Sequence, residues 1–194
     1  MSPYPNRSTF NRANRRNRLL FLCHAALGAA LLSVSAWIAI PLPWGIPVTL
    51  QTMAVLLLTA LWGIGRTLAS IGIYMTLGAI GLPVFAGFGG GLGVLIGPGG
   101  GYLMGLVPMV LLCGILLRVL PIRTWTIALS MMIGQIGCYM VGCGYFVFVY
   151  LHGETVEIGS AILQGVLPFL IPDAIKIAVS VPVAARYRKS RIFT

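Results

Sequence analysis

Asp173 and Lys176 stand three residues apart inside an apolar segment that runs from about Gly159 to Ala185. A charge near the middle of a bilayer costs roughly 3 kcal/mol even on lenient insertion scales, so such residues persist with a partner or a task. At i and i+3 on a helix the two side chains share a face, where they can neutralise each other or grip a polar ligand together. Pro168 and Pro172 accompany the pair. Each lacks an N–H and is expected to bend or break the helix, freeing the carbonyls of Gln164 and Pro168. Disruption of that kind is tolerated at membrane depth where a cavity or other groups satisfy the backbone. A purely structural pair would gain little, because buried ion pairs stabilise poorly relative to apolar residues of similar size.

Other chemistry lacks a constellation. No G-x-x-x-x-G-K-[ST] run is present to cradle the phosphates of a nucleotide, and His24 and His152 are isolated from carboxylates and thiols. Cys23, Cys113, Cys138 and Cys143 have no C-x-x-C spacing and fall in predicted helices, so they read as small packing residues. Neither catalytic residues, a metal site nor a cofactor is expected. A chain of this kind binds, moves or conducts something.

The elements that position the pair follow from composition. Only 8% of the 194 residues are charged and 58% are hydrophobic. An ordinary soluble domain is about 25% charged. The pattern is that of an all-α, polytopic membrane protein. Helices are expected at about Leu19–Ile40, Val48–Ile64, Thr67–Leu82, Gly101–Leu120, Thr124–Tyr150 and Ser160–Ala185, six crossings in all. The net charge of +10 does not form a face suited to nucleic acid. Arg7, Arg12, Arg15, Arg16 and Arg18 precede the first apolar run, and Arg186, Arg188, Lys189 and Arg191 follow the last. With Arg66, Arg118 and Arg123 these account for every cation except Lys176, and all fall on one side of a six-span layout. Glu154 and Glu157 fall on the other. Positive-inside counting then assigns both termini to the cytoplasm of a multi-pass cell-membrane protein. Residues 1–18 would be a basic cytoplasmic segment, 19–185 a single membrane domain and 186–194 a basic tail. The arginine-rich start before Ser33-Val34-Ser35-Ala36 also resembles a secretion signal. Retention is expected, because cleavage would leave five spans and spoil the charge parity.

Three further regions are informative. From Gly87 to Gly105, ten of nineteen residues are glycine, interspersed with Leu92, Val94, Leu95, Ile96 and Pro98. This reads as a packed lid over a cavity rather than a solvated linker. The connection Pro41 to Gln51 holds three prolines, with Trp44 as an interfacial anchor. Thr49 and Gln51 there offer neutral hydrogen-bonding groups to a ligand or to a neighbouring helix. Ala25, Ala26, Ala29 and Ala30 form two overlapping small-xxx-small pairs, a flat strip for another helix of this bundle or of a partner.

The segments Pro47-Val-Thr-Leu-Gln-Thr52, Leu77-Gly-Ala-Ile-Gly-Leu-Pro-Val-Phe-Ala-Gly87, Gly97-Pro-Gly-Gly-Gly-Tyr-Leu103 and Pro168-Phe through Asp173-x-x-Lys176 resemble the BioY family, the biotin-binding S components of energy-coupling-factor transporters. The resemblance implies six helices and a biotin pocket under the outer loops, with helix 1 facing a transmembrane coupling subunit. It carries substrate-binding roles onto Asp173 and Lys176 and makes Tyr102 and the outer loops, Gly101 included, parts of the pocket. Pro172 and Gly99 depart from the Gly and Thr usual at those places. The run Phe88 to Leu95 offers no polar side chain, so a hydrogen bond from it would have to come from backbone.

Biotin suits these residue types. Its ureido group needs both an acceptor and a donor, and its valerate is an anion that is costly to leave unpaired at depth. Asp173 can accept from N–H, Lys176 can pair with an oxygen, and Thr49 and Gln51 can add neutral bonds. Without a nucleotide site, concentrative uptake is expected to need an ATPase pair and the coupling subunit, although standalone or oligomeric function stays open. The alternative is an ion- or proton-coupled carrier with Asp173 as the titrating group.

Overall fold

The structure is a computed structural model that describes residues 7–43, 46–150 and 165–190. The readings of Trp44, of His152, Glu154 and Glu157, and of the Gln164 carbonyl lie outside the described residues, as do both chain ends. Helix α1 covers Arg7–Trp37, and a two-residue strand β1, Ala39–Ile40, pairs antiparallel with β2, Val48–Thr49, in the register Ala39 to Thr49 and Ile40 to Val48. Helices α2 (Gln51–Trp62) and α3 (Ile64–Ala79) follow, then a 3-10 turn at Ala86–Phe88 and a short α4, Leu92–Ile96. The long helices α5 (Gly100–Val119), α6 (Thr124–Tyr145, ending in a π turn at Phe146–Tyr150) and α7 (Leu167–Ser190) complete the described chain.

The protein is a membrane protein of mostly helical build, and among the described residues four segments are long and apolar enough to cross a bilayer: Asn14–Trp37, Gly100–Val119, Thr124–Val149 and Leu167–Ser190. Leu27, Leu31, Ile115, Met132, Ile136, Ile175 and Val179 point outward from these helices, an apolar surface suited to lipid rather than water. The expected second and third crossings are shorter than a full span. Helix α2 has 12 residues and α3 has 16 residues. They reach about 18 Å and about 24 Å, against a hydrocarbon core of about 30 Å. The reason at α2 is local. Val48 and Thr49 pair as a strand, so the helix begins at Gln51 rather than Val48. The all-helical expectation is corrected by this small ladder, which sits in the proline-bounded connection and is too short for any periodicity to reveal.

Two other boundaries differ. Helix α1 extends through the arginine-rich segment back to Arg7, since Arg and Asn do not stop a helix even though they end a hydropathy run. Helix α7 runs on through Pro172 and Pro182 to Ser190 instead of breaking. Pro168 is the second residue of the helix, where the missing N–H has no intrahelical partner to lose.

Packing explains many of the glycines. A Cβ on Gly101 would lie 2.4 Å from Tyr145 Cβ, one on Gly105 2.8 Å from the Cys138 carbonyl oxygen, and one on Gly134 2.9 Å from Cys113 Cβ. Gly101 and Gly105 form a G-x-x-x-G pair that lets α5 and α6 approach backbone to backbone. On α1 the small residues divide between two faces. Ala25 and Ala29 are buried within the bundle beside Gly28, whose Cα faces Ser70 of α3, while Ala26 and Ala30 remain exposed. Most buried hydroxyls satisfy themselves by donating to a carbonyl one turn back, as Ser33, Thr59, Thr67, Ser70, Ser130 and Ser180 do.

Candidate functional site

Helix α7 buries Phe169, Asp173, Lys176, Ser180 and Ala184, a stripe at helical spacing that turns both charges into the bundle. Asp173 and Lys176 are 4% and 7% exposed, and Lys176 Nζ donates to Asp173 Oδ1 across 2.6 Å. The pair does not stand alone. Thr52, in the first turn of α2, donates to Asp173 Oδ1 at 3.2 Å and lies 3.3 Å from Lys176 Nζ, which it can accept from in turn. From α6, Gln135 Nε2 donates to Oδ2 at 2.7 Å and the Tyr139 hydroxyl makes a short bond to the same oxygen. Two donors on each oxygen fill the four lone-pair positions of a carboxylate. Lys176 has three N–H bonds, of which Asp173 and Thr52 take two, so one is uncommitted among the described residues.

This network forms the polar floor of a cavity of about 550 Å³. Small-molecule sites commonly hold about 300–1,000 Å³. Its walls are apolar and aromatic, with Trp37, Leu42, Ile46, Phe85, Tyr102, Leu106 and Phe169 among them. Thr49 and Gln51 join from the strand-to-helix corner. Thr49 Oγ1 accepts from the Gln51 backbone N–H at 3.4 Å, so part of its hydrogen-bonding capacity fixes the corner.

Tyr102 is held on three sides. Its ring lies over Gly142, where a Cβ would come within 2.5 Å, it stacks on Phe169 at 5.7 Å, and its hydroxyl donates to the Gly165 carbonyl. It thereby ties α5 and α6 to the start of α7. The glycine-rich segment borders the cavity, although Leu92 and Ile96, two of the apolar residues that suggested a packed lid, are exposed. Gly87, Gly93, Val94, Gly97, Pro98 and Gly99 line the cavity, and Phe85 anchors the turn by seating its ring over Gly78. Trp37 Nε1 donates to the Pro83 carbonyl at 2.9 Å while its ring meets Phe88 at 5.1 Å, and the Tyr145 hydroxyl donates to the Ile96 carbonyl at 2.9 Å. Phe88 adopts a positive φ of 59° beside Gly87 at 66°. That conformation is unusual for a bulky side chain.

Five of the six expected ligand-binding residues, Asp173, Lys176, Tyr102, Gln51 and Thr49, therefore face one cavity. Gly101 does not. It is buried against Tyr145, so its role is the α5–α6 approach rather than contact with the cavity. Sequence reasoning gave no role to Gln135 and Tyr139. Their signal was available: a lone amide at i and a phenol at i+4 on one face of an apolar helix need a polar partner elsewhere. Thr52 lay inside a quoted motif without a role of its own.

The model of the BioY family matches residues 9–192. The chain belongs to the BioY family. A biotin transporter BioY of Thermotoga maritima is 37% identical over 171 residues, 88% of this chain and 97% of that one. A biotin transporter BioY of Rhodobacter capsulatus is 36% identical over 189 residues, 91% of this chain and 97% of that one. The crystal structure of the S-component for biotin from an ECF-type ABC transporter superposes with a TM-score of 0.78 at 25% identity, covering 90% of this chain and 93% of that one. The BioY family is one of transporters rather than enzymes, and among the described residues no group of three His, Cys, Asp or Glu side chains could hold a metal ion.

Proposed function

We propose that this BioY-family chain captures biotin in the cavity above Asp173 and Lys176 and serves as the substrate-binding subunit of an energy-coupling-factor transporter. The observation that carries the reading is a saturated carboxylate network beside Lys176, which lines an apolar, aromatic-walled cavity with one N–H uncommitted among the described residues. Lys176 pairs with a biotin oxygen, and the aromatic wall of Tyr102 and Phe169 covers the fused ring. Asp173 has no spare lone pair, so its first task is to fix Lys176, Gln135 and Tyr139. It accepts a ureido N–H by exchanging one of its neutral donors, and the displaced donor turns to a ligand oxygen so that both stay bonded. Thr49 and Gln51 add neutral bonds at the rim. The lid from Phe85 to Gly99 excludes water and offers backbone groups where it lacks polar side chains.

Six crossings with both termini cytoplasmic remain the topology we favour, with α2 and α3 as the two short crossings and the cations on the inner side as support. Residues 1–18, 19–185 and 186–194 then act as basic segment, membrane domain and basic tail. The exposed Ala26 and Ala30 are suited to a close-packed helix from a coupling subunit, and Ala25 and Ala29 are not, being already covered. The energy for concentrative uptake comes from an ATPase pair joined through that subunit, self-association being the other arrangement that would use the same face.

The test is uptake of labelled biotin into proteoliposomes holding the chain alone or with an ATPase pair and coupling subunit. Accumulation that requires ATP and partners supports the reading. Biotin-independent proton currents from the chain alone, lost in Asp173→Asn, would instead support the carrier in which Asp173 titrates.

A further inference from the structure

A polar atom of a cavity-lining residue and one of a core residue on α3 lack partners among the described residues. Gln51 lines the cavity and is 6% exposed, yet its Nε2 has no hydrogen-bond partner among the described residues. Tyr74 of α3 is fully buried, and its hydroxyl is likewise unpaired among them. The two polar heads are close enough to interact, but no well-formed hydrogen bond joins them.

Such a pair is exceptional here. Thr67 and Ser70 on the same helix donate to carbonyls one turn back. A tyrosine hydroxyl is carried too far from its own backbone to do so, and it needs a partner on another element. Nor can the ring swing away. It packs edge-on against Phe85 at 5.3 Å, and Phe85 is itself wedged over Gly78 of the same helix. Buried donors left unmade are costly, and both atoms are fully covered, so the two groups are satisfied only if the Gln51 amide turns, which presents its N–H donors to the cavity it lines.

We propose that Tyr74 is a positioning residue that holds the Gln51 carboxamide with its N–H donors turned to the cavity, so that the pair selects ligands bearing an acceptor oxygen at this wall. A rotation of the amide lets the Tyr74 hydroxyl donate to Gln51 Oε1 and leaves both Nε2 hydrogens for the ligand. Two buried polar groups are thereby satisfied in a single step. The inference rests on the biotin reading above. Biotin carries acceptor oxygens at both ends, the ureido carbonyl and the carboxylate, and either meets the requirement.

The experiment is equilibrium titration of labelled biotin into detergent-purified full-length chain, for Tyr74→Phe, Gln51→Leu and the double variant. Tyr74→Phe keeps the ring and removes one oxygen. It is expected to weaken binding about tenfold, as loss of one net hydrogen bond does. In the Gln51→Leu background Tyr74→Phe should change the affinity no further. An unchanged affinity in Tyr74→Phe, or the same loss in both backgrounds, overturns the proposal. Gln51→Asn gives an independent arm that leaves Tyr74 in place. It retracts the carboxamide from Tyr74 and should lose as much affinity as Gln51→Leu, whereas wild-type affinity in Gln51→Asn would overturn positioning. A wild-type chain that binds no biotin would overturn the functional reading, and this inference with it.

Discussion

Replacing Asp173 by Asn tests the charged floor most sharply. The substitution keeps the shape of the side chain and removes the charge opposite Lys176, which is 7% exposed and 2.6 Å away. It also turns one of two acceptor oxygens into a donor. That amide must face either Lys176 and Thr52 or Gln135 and Tyr139, and every one of those groups is itself donating. Stranding one member of a buried pair costs about 3–5 kcal/mol. In a chain of this size each kcal/mol shifts Tm by about 2–4 °C, so Asp173→Asn should melt about 6–20 °C below wild type without ligand. Lys176→Met leaves the carboxylate with three neutral donors and should fall by a similar or smaller amount. The double variant Asp173→Asn/Lys176→Met removes both charges and should recover most of the lost stability, because neutral or apolar replacements of a buried pair are often no less stable than the pair. Biotin binding should stay lost in all three. The assay is thermal unfolding in one detergent at one scan rate, paired with biotin titration. Single variants melting within about 2 °C of wild type, a shift worth less than about 1 kcal/mol, would refute the argument that these charges are desolvated and interdependent. A double variant that regains stability and still binds biotin would refute their role toward the ligand.

Other outcomes follow from packing. Gly101→Ala introduces a Cβ 2.4 Å from that of Tyr145. It should cost about 1–3 kcal/mol by forcing α5 from α6. Gly93→Ala, with nothing within 4 Å of its Cβ, is the control for thermal unfolding and should melt close to wild type. Ala29→Leu should lower Tm because Ala29 is 2% exposed. The exposed Ala26→Leu should leave Tm and biotin affinity unchanged and reduce co-purification with a coupling subunit. Tyr102→Phe removes the bond to the Gly165 carbonyl. It should cost about 1 kcal/mol of stability, with weaker biotin binding, and a melting curve identical to wild type would show that bond to be dispensable.

What could be read from the chain depended on how far each residue's chemistry is at odds with lipid. Asp173 and Lys176 stand out because no other Asp, Glu, Lys or Arg lies in the middle of a membrane-length apolar run, and their shared face follows from i, i+3 geometry. Gln135, Tyr139 and Thr52 are tolerable in an apolar helix, and their convergence on Asp173 depends on the relative rotation of α2, α6 and α7, which one sequence does not encode in any local pattern. The alanine strip was visible on α1, but spacing could not divide it into the inward Ala25 and Ala29 and the outward Ala26 and Ala30. Gly101 is assigned to the pocket, along with the outer loops, by the family resemblance. Its neighbour across the helix pair, Tyr145, decides its role, and that contact is likewise a matter of inter-helix rotation. The strand pair escaped notice because two residues carry no period, yet it sets the start of α2 and so delivers Gln51 and Thr52 to the cavity.

Equilibrium binding of labelled biotin to the purified chain, with thiamine and riboflavin as competitors, tests the central claim most directly. The account predicts saturable binding at one biotin per chain, displaced by unlabelled biotin and by neither competitor. Absence of saturable binding, or equal displacement by thiamine or riboflavin, would contradict it.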